Sequence, residues 1–136
     1  MFVFFIHVVC YDLWYYLIHM CLHNIRFYKY HKYHHFTRHT ELTYSDAFDG
    51  HIIEYPLQTV GIVIPSIIIT YDLPSILAAY LFVTIRTYLY HDHRCVWLVG
   101  NHHLLHHKHP KYNFGERWID AMFGTLYISG TEDVSQ

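Results

Sequence analysis

Three apolar runs divide the chain, and polar segments follow the first and the last of them. The first run, from Phe2 to Cys21, matches the roughly 20 residues that one membrane crossing needs. The second and third runs, Leu57 to Thr70 and Ser75 to Tyr90, are each short for a full crossing. Between them, Tyr71 to Pro74 breaks the pattern, and proline is tolerated in the first turn of a helix. The runs therefore predict one long helix and, later, a helical hairpin from Leu57 to Tyr90.

The cations are distributed unevenly along these segments. Eight of the nine Lys and Arg residues lie between Arg26 and Arg38 or between Arg94 and Arg117, and only Arg86 lies in the hairpin. The positive-inside rule places both cation-rich segments on the cytoplasmic side. Because a hairpin makes an even number of crossings, the two segments are expected to meet on one face.

The composition fits a protein that contacts lipid. Apolar residues make up 53% of the 136 residues and charged residues only 15%. The formal net charge of −2 provides no broad basic surface, so nucleic acid is not an expected partner. The three cysteines show neither a disulfide framework nor a zinc-binding spacing. These features predict a single domain, residues 1–136, that is an all-α integral membrane helical bundle.

Histidine is the unusual residue type, with 15 copies in 136 residues. An HxxxH box from His19 to His23 places two imidazoles on one helix face. HxxHH boxes run from His31 to His35 and from His103 to His107. In an HxxHH box we expect the first two histidines to share a helical face and the third to point about 100° away. One box can therefore serve two metal centres.

Nine histidines are the predicted metal ligands, a number too large for one zinc ion or one mononuclear iron and suited to two metals. They are His19, His23, His31, His34, His35, His91, His103, His106 and His107. The sequence thus predicts a dinuclear, histidine-rich metal site at the cytoplasmic face.

Four further residues are candidates for binding metal or for holding a ligand imidazole by a hydrogen bond. They are His51, His93, Asp12 and Glu54. His93 competes with His91 for one ligand position. Asp12 stands two turns before His19, and an acid inside an apolar span needs a partner, so we expect it to accept an imidazole N–H.

These motifs resemble the fatty acid hydroxylase and sterol desaturase superfamily of membrane enzymes. The resemblance begins with Asp12, Tyr16 and His19 and is closest from His103 to His107. The segment from Trp118 to Thr125 is similar to the closing pattern of the family. One departure is Met20, where the family often has arginine, and members are usually longer at the N-terminus.

The resemblance implies an oxygen-dependent oxidoreductase. Two iron ions, which zinc can replace on purification, would use dioxygen to hydroxylate or desaturate a fatty acyl, sphingoid or sterol substrate. Electrons would come from a carrier such as a b-type cytochrome and its reductase, which the basic stretch from Arg26 to Lys32 is suited to dock. The implied location is the endoplasmic reticulum membrane, with the histidine boxes facing the cytoplasm.

Three other functions use the same residues differently. A membrane metal carrier would bind metal without redox chemistry, although carriers place ligands near the middle of the bilayer rather than beside the apolar runs. A catalytically inactive relative would have no need of intact boxes, and a haem protein would need only two axial histidines.

Overall fold

A computed structural model describes residues 2–69 and 72–129, and every regular element in these residues is helical. The α-helices are α1 (Phe2–Leu22), α2 (Tyr28–His31), α3 (Glu54–Ile68), α4 (Leu73–His91), α5 (Val96–Val99), α6 (His102–Lys108) and α7 (Arg117–Phe123). Short 3₁₀ helices cover Lys32–His35, Tyr44–Phe48 and His93–Cys95. The prediction of an all-α fold is confirmed for the described residues.

The predicted hairpin is present as α3 and α4. Helix α3 begins at Glu54, three residues before the predicted start, and Pro74 lies in the first turn of α4. Thr70 and Tyr71, which belong to the predicted break, lie outside the described residues. Helices α1 and α4 are long and apolar enough to cross a membrane, whereas α3 has 15 residues.

Helix α1 packs against both arms of the hairpin. The buried core contains Val8 and Tyr11 from α1, Ile62 from α3, and Ala79 and Val83 from α4. Burial of these apolar side chains stabilises the three-helix arrangement.

Helices α1 and α3 approach each other closely at Gly61. A Cβ atom on Gly61 would lie 2.7 Å from the Cβ atom of Trp14, so only glycine fits there without a shift. The Trp14 indole Nε1–H donates to the Leu57 carbonyl oxygen at 2.8 Å, which fixes the ring across the interface. Packing therefore explains the glycine in the middle of α3.

The three long helices bring their histidine-bearing ends together. His19 lies near the C-terminal end of α1, His91 ends α4, and Glu54 begins α3. His31 contacts both His19 and Glu54, and His34 contacts His91. The two polar, histidine-rich segments thus cover the same end of the bundle, as the predicted topology requires.

Asp12 has a different partner from the one predicted. The Arg86 guanidinium of α4 donates to both of its carboxylate oxygens, and Arg86 Nε also lies 3.3 Å from Glu116 Oε1. The expectation that Asp12 accepts an imidazole N–H is corrected by this contact. A buried carboxylate is most strongly stabilised by a full opposite charge, and Arg86 is the cation that the hairpin provides.

Candidate metal centre

All nine histidines predicted as ligands converge at the covered end of the bundle, where they form two groups. The first group contains His19, His23, His31, His35 and His106, and the second contains His34, His91, His103 and His107. Within each group, one ring nitrogen from every histidine lies within 4.8 Å of those of the others. The sequence separates these residues by up to 88 positions, and the fold brings them to two adjacent points.

The division into groups follows the i, i+4 spacing. His31 and His35 point into the first group, while His34 between them points into the second. The other HxxHH box does the reverse, since its outer histidines enter the second group and His106 enters the first. The expectation that the first two histidines of a box share a site is corrected. In α6, residues at i and i+4 are separated by about 40° around the helix and those at i and i+3 by about 60°. The other box passes from α2 into the 3₁₀ helix Lys32–His35, so the angles of a continuous α-helix do not apply to it.

Acceptors outside the groups orient several of the rings. The Nδ1–H groups of His19, His91 and His106 donate to the carbonyl oxygens of Phe114, Thr87 and Tyr112 at 2.6, 2.8 and 2.7 Å. His34 Nδ1 lies 3.2 Å from the Asp49 carbonyl oxygen, and His31 Nδ1 lies 2.6 Å from Glu54 Oε1. A bond of this kind fixes the tautomer, so that Nε2 carries a lone pair aimed into the group.

Two pairs of these nitrogens face each other closely. His34 Nε2 and His91 Nε2 are 2.9 Å apart, and both rings use their Nδ1–H on a carbonyl oxygen. Neither Nε2 atom of the neutral rings therefore has a hydrogen to share. His19 Nε2 and His31 Nε2 are 3.0 Å apart, and both lack a hydrogen when Glu54 is ionised and accepts the His31 Nδ1–H. Burial raises the pKa of Glu54 to about 8, so this holds above that pH or when a cation at the site favours the charged carboxylate. A cation between the members of each pair would remove the lone-pair repulsion.

The spacing of the imidazole nitrogens suits coordination of a transition-metal ion. Nitrogen ligands about 2.1 Å from one metal ion and at right angles to each other lie about 3 Å apart. The Nε2 atoms of His35 and His31 show this separation at 3.0 Å, as do those of His103 and His91 at 2.9 Å. Imidazole nitrogen suits iron, zinc, copper and nickel.

Burial keeps the imidazoles neutral, which is the form that binds metal. Burial, followed by the nearby His35 ring, lowers the pKa of His23 to about 3. Burial, followed by the His91 ring, lowers the pKa of His35 to about 4. The pKa values of His34, His103 and His107 also lie well below the ordinary imidazole value, mainly because of burial. Protonation of the groups at neutral pH is thus disfavoured.

Several buried nitrogens at the site have no hydrogen-bond partner among the described residues. They include Nε2 of His23, Nε2 of His106 and both ring nitrogens of His107. Leaving a buried polar atom unpaired is costly, and such atoms need an explanation. Metal coordination would use the lone pair of one nitrogen in each of these rings.

The four additional candidates have different positions. Glu54 contacts His31, as described above, and Gly50 makes room for it, because a Cβ atom there would lie 2.8 Å from Glu54 Oε2. His93 joins neither group, and its Nδ1–H donates to the Leu42 carbonyl oxygen at 2.7 Å. His51 is exposed outside both groups, with its ring 5.0 Å from that of Tyr30. Of the pair in His91-Asp-His93, the structure therefore brings only the first histidine to the site.

The turn after the last histidine box has a role that the sequence did not indicate. Phe114 supplies the carbonyl oxygen that holds His19, and its ring lies 5.2 Å from that of His23. Asn113 precedes it with a φ of 59°, a left-handed conformation that asparagine tolerates better than most residues. An asparagine followed by Phe-Gly, six residues after the end of the HxxHH box, was the available signal of a turn.

Asp120 fixes this turn from the side of α7. Its Oδ1 accepts from Phe114 N at 2.9 Å and from Thr125 Oγ1 at 2.6 Å. Its Oδ2 accepts from Gly115 N at 3.0 Å and lies 2.9 Å from His102 Nε2. The buried carboxylate thereby positions the Phe114 carbonyl for His19. Trp118, two residues before Asp120, is exposed.

Comparison with the profiles of known protein families identifies the family to which the chain belongs. The profile of the family described as Fatty acid hydroxylase matches residues 4–125. The chain belongs to the fatty acid hydroxylase family. The match includes all nine histidines of the two groups and the turn that holds His19. Comparisons with curated proteins and with solved structures found no match.

Membership in the fatty acid hydroxylase family confirms the resemblance seen in the sequence. The family indicates a hydroxylase-type oxidoreductase that acts on a lipid and associates with a membrane. Two apolar helices and two histidine groups able to hold metal agree with that class of enzyme.

Proposed function

We propose that the chain is a membrane-embedded, di-iron lipid oxygenase formed by a single domain, with one metal ion in each histidine group. The observation that carries the proposal is the facing pair of Nε2 atoms of His34 and His91, 2.9 Å apart and both without a hydrogen. A metal ion satisfies both lone pairs without charging a buried ring. The pair of His19 and His31 supports the same assignment for the first group.

Iron is the metal proposed for both groups, and zinc can replace it on purification because imidazole binds either ion. When bound, iron supplies the redox chemistry by which dioxygen oxidises an unactivated C–H bond, giving a hydroxylated or desaturated lipid. The chain holds the rings that would bind the metals through carbonyl oxygens and Glu54, and it orients them before metal enters. The apolar ring of Phe114 shields one side of the first group from water.

The outer faces of the long helices support embedding in a membrane. Phe5, Ile67 and Leu81 are 54%, 83% and 60% exposed, on α1, α3 and α4 respectively. Large apolar side chains on the outside of three neighbouring helices are stabilised by lipid and not by water. We assign the histidine end to the cytoplasmic side of the endoplasmic reticulum membrane, since the cations flank that end.

The reaction needs electrons from outside the chain. A b-type cytochrome with its reductase is the proposed donor, and it would approach the cytoplasmic end where the histidine groups lie. Acidic electron carriers associate with basic surfaces by electrostatic complementarity.

The first test is the metal content of detergent-purified protein. Two double variants each remove two rings from one group, and a control variant removes two rings outside both. They are His23→Asn with His35→Asn, His103→Asn with His107→Asn, and, as the control, His51→Asn with His93→Asn. We expect two metal ions per chain in the natural protein and in the control, and about one in each of the other variants.

One metal ion or none in well-folded natural protein would refute the dinuclear assignment. With two ions present, the iron-loaded protein is supplied with dioxygen, a reductant and a lipid substrate. Oxygen-dependent lipid product that is absent from both site variants is the expected result. Two ions without any such product across acyl, sphingoid and sterol lipids would instead favour a metal carrier or an inactive relative.

A further inference from the structure

A cavity of about 690 Å³ opens beside the first histidine group. Its wall includes His23, a member of that group, and Phe114, whose carbonyl oxygen holds His19. The volume lies within the roughly 300–1,000 Å³ typical of sites for small molecules. A molecule in this cavity would therefore lie against the first group and not the second.

Much of the cavity wall is apolar. Met20 at the end of α1, Ile25 in the following loop, and Tyr28 at the start of α2 contribute to it, and Pro110 lies opposite them. Ile25 is 93% exposed, so the bundle leaves this apolar side chain uncovered. A hydrocarbon chain would bury this surface on binding.

Three lysines surround the same cavity. Lys29 and Lys32 come from α2 and the 3₁₀ helix after it, and Lys111 comes from the loop after α6. No acidic residue lines the cavity, and within residues 2–69 and 72–129 none of the three lysines forms an ion pair. Lysines from two distant parts of the chain thus line one cavity without a counter-charge. The ammonium groups of Lys29 and Lys32 lie 4.8 and 5.0 Å from the centroids of the neighbouring Tyr30 and Tyr33 rings, and both side chains are exposed and able to turn towards a ligand.

From this arrangement we propose that the cavity binds an amphiphile with an anionic headgroup, either carboxylate or phosphate. The headgroup contacts Lys29, Lys32 and Lys111, and the hydrocarbon chain lies on the apolar wall that leads to His23. The inference rests on the proposed function, for which it defines the substrate class. The exposed apolar side chains beside the lysines, Ile25 above all, favour an amphiphile over an acidic protein, whose attraction would need only the cations.

The test measures binding of two matched probes, hexadecyl phosphate and hexadecanol, to the metal-loaded full chain in a non-ionic detergent. The cavity variant carries Lys29→Gln, Lys32→Gln and Lys111→Gln. The control variant carries Arg38→Gln, Lys108→Gln and Arg117→Gln, which change the net charge equally at exposed cations away from the cavity. Natural protein should prefer the phosphate, and the cavity variant should bind it roughly 10- to 100-fold more weakly, with hexadecanol unchanged. The control variant should keep the preference.

Equal affinity of the natural protein for both probes would overturn the inference, as would equal losses in the cavity and control variants. Unchanged phosphate binding, together with slower reduction of the cavity variant by a soluble b-type cytochrome domain, would assign the lysines to the electron donor and also overturn it. Metal content is measured on the same samples. Fewer than two ions with a retained phosphate preference would reject the dinuclear proposal alone, whereas two ions with no preference would reject the headgroup site alone.

Discussion

Replacing Glu54 by glutamine should weaken metal binding at the first histidine group and leave the second group unchanged. Glu54 Oε1 accepts the buried His31 Nδ1–H at 2.6 Å, and His31 is one of the five imidazoles of that group. Burial raises the pKa of Glu54 to about 8, so the carboxylate is charged above that pH or when a metal ion on His31 favours the charged form. A hydrogen bond to a charged acceptor contributes about 1.5–3 kcal/mol. Glutamine keeps an acceptor oxygen without the charge, so we expect about a 10-fold loss of affinity, or about 1.4 kcal/mol. Alanine removes the acceptor, and about a 100-fold loss is expected.

The assay is a competition titration of metal-free protein against a chromophoric chelator, which resolves the binding of the two ions. Only one of the two binding constants should change, because the side-chain hydrogen bonds of Glu54 go to His31 and Gln58 and not to a ring of the second group. Glu41→Gln is the matched control, since it removes the same charge from an exposed position in a loop. Equal weakening of both sites, or the same effect in the control, would show that the carboxylate acts through overall charge, and the argument from His31 would fail.

Three other predictions concern stability. Arg86→Met should destabilise the detergent-solubilised protein by about 3–5 kcal/mol, because it leaves buried Asp12 without its partner, and adding Asp12→Asn should restore part of the loss in thermal unfolding. Gly61→Ala should cost about 1–3 kcal/mol because the new Cβ meets Trp14, and a melting temperature equal to that of exposed Val60→Ala would contradict this. Burial holds the pKa values of His23 and His35 near 3 and 4 in the fold, below about 6.5 in an unfolded chain. Unfolded metal-free protein therefore takes up these protons first, so its urea midpoint should fall as the pH drops from about 6.5 towards 4, and a rise would refute the assignment.

The spacing of the histidines was sufficient to single out the eight histidines of the three boxes, all of which lie in the two groups. His19 and His23 are four residues apart on one helix, and that periodicity holds whatever the rest of the chain does. The distribution of Lys and Arg also predicted that the distant histidine boxes lie at the same end of the helical bundle. Neither the spacing nor the charge distribution determined which histidines of an HxxHH box enter which group. On an α-helix, the residues at i+3 and i+4 lie at nearly equal angles on either side of the first histidine.

Contacts between distant residues were the part that the sequence could not specify. Asp12 was recognised as needing a partner, yet a histidine seven residues away and Arg86, 74 residues away, were both available. The choice depends on the register in which α1 packs against α4, and a single sequence contains no measure of that register. The choice between His91 and His93 was also beyond the sequence, because it depends on where α4 ends. Helix α4 ends at His91, and that residue points into the site.

The first histidine group depends on both ends of the chain, which links metal binding to folding. His19 of α1 donates to the carbonyl oxygen of Phe114, 95 residues later, and Tyr16 Oη lies 3.2 Å from Thr125 Oγ1, 109 residues later. Bringing such distant segments together has an entropic cost that local helix formation does not offset. Asp120 holds the later segment together without a contact to α1 from its carboxylate, whose four hydrogen-bond partners all lie within residues 102–125. A metal ion in the first group would then hold together α1, the HxxHH box from His31 to His35, and α6. Metal affinity would therefore contribute directly to the stability of the folded bundle.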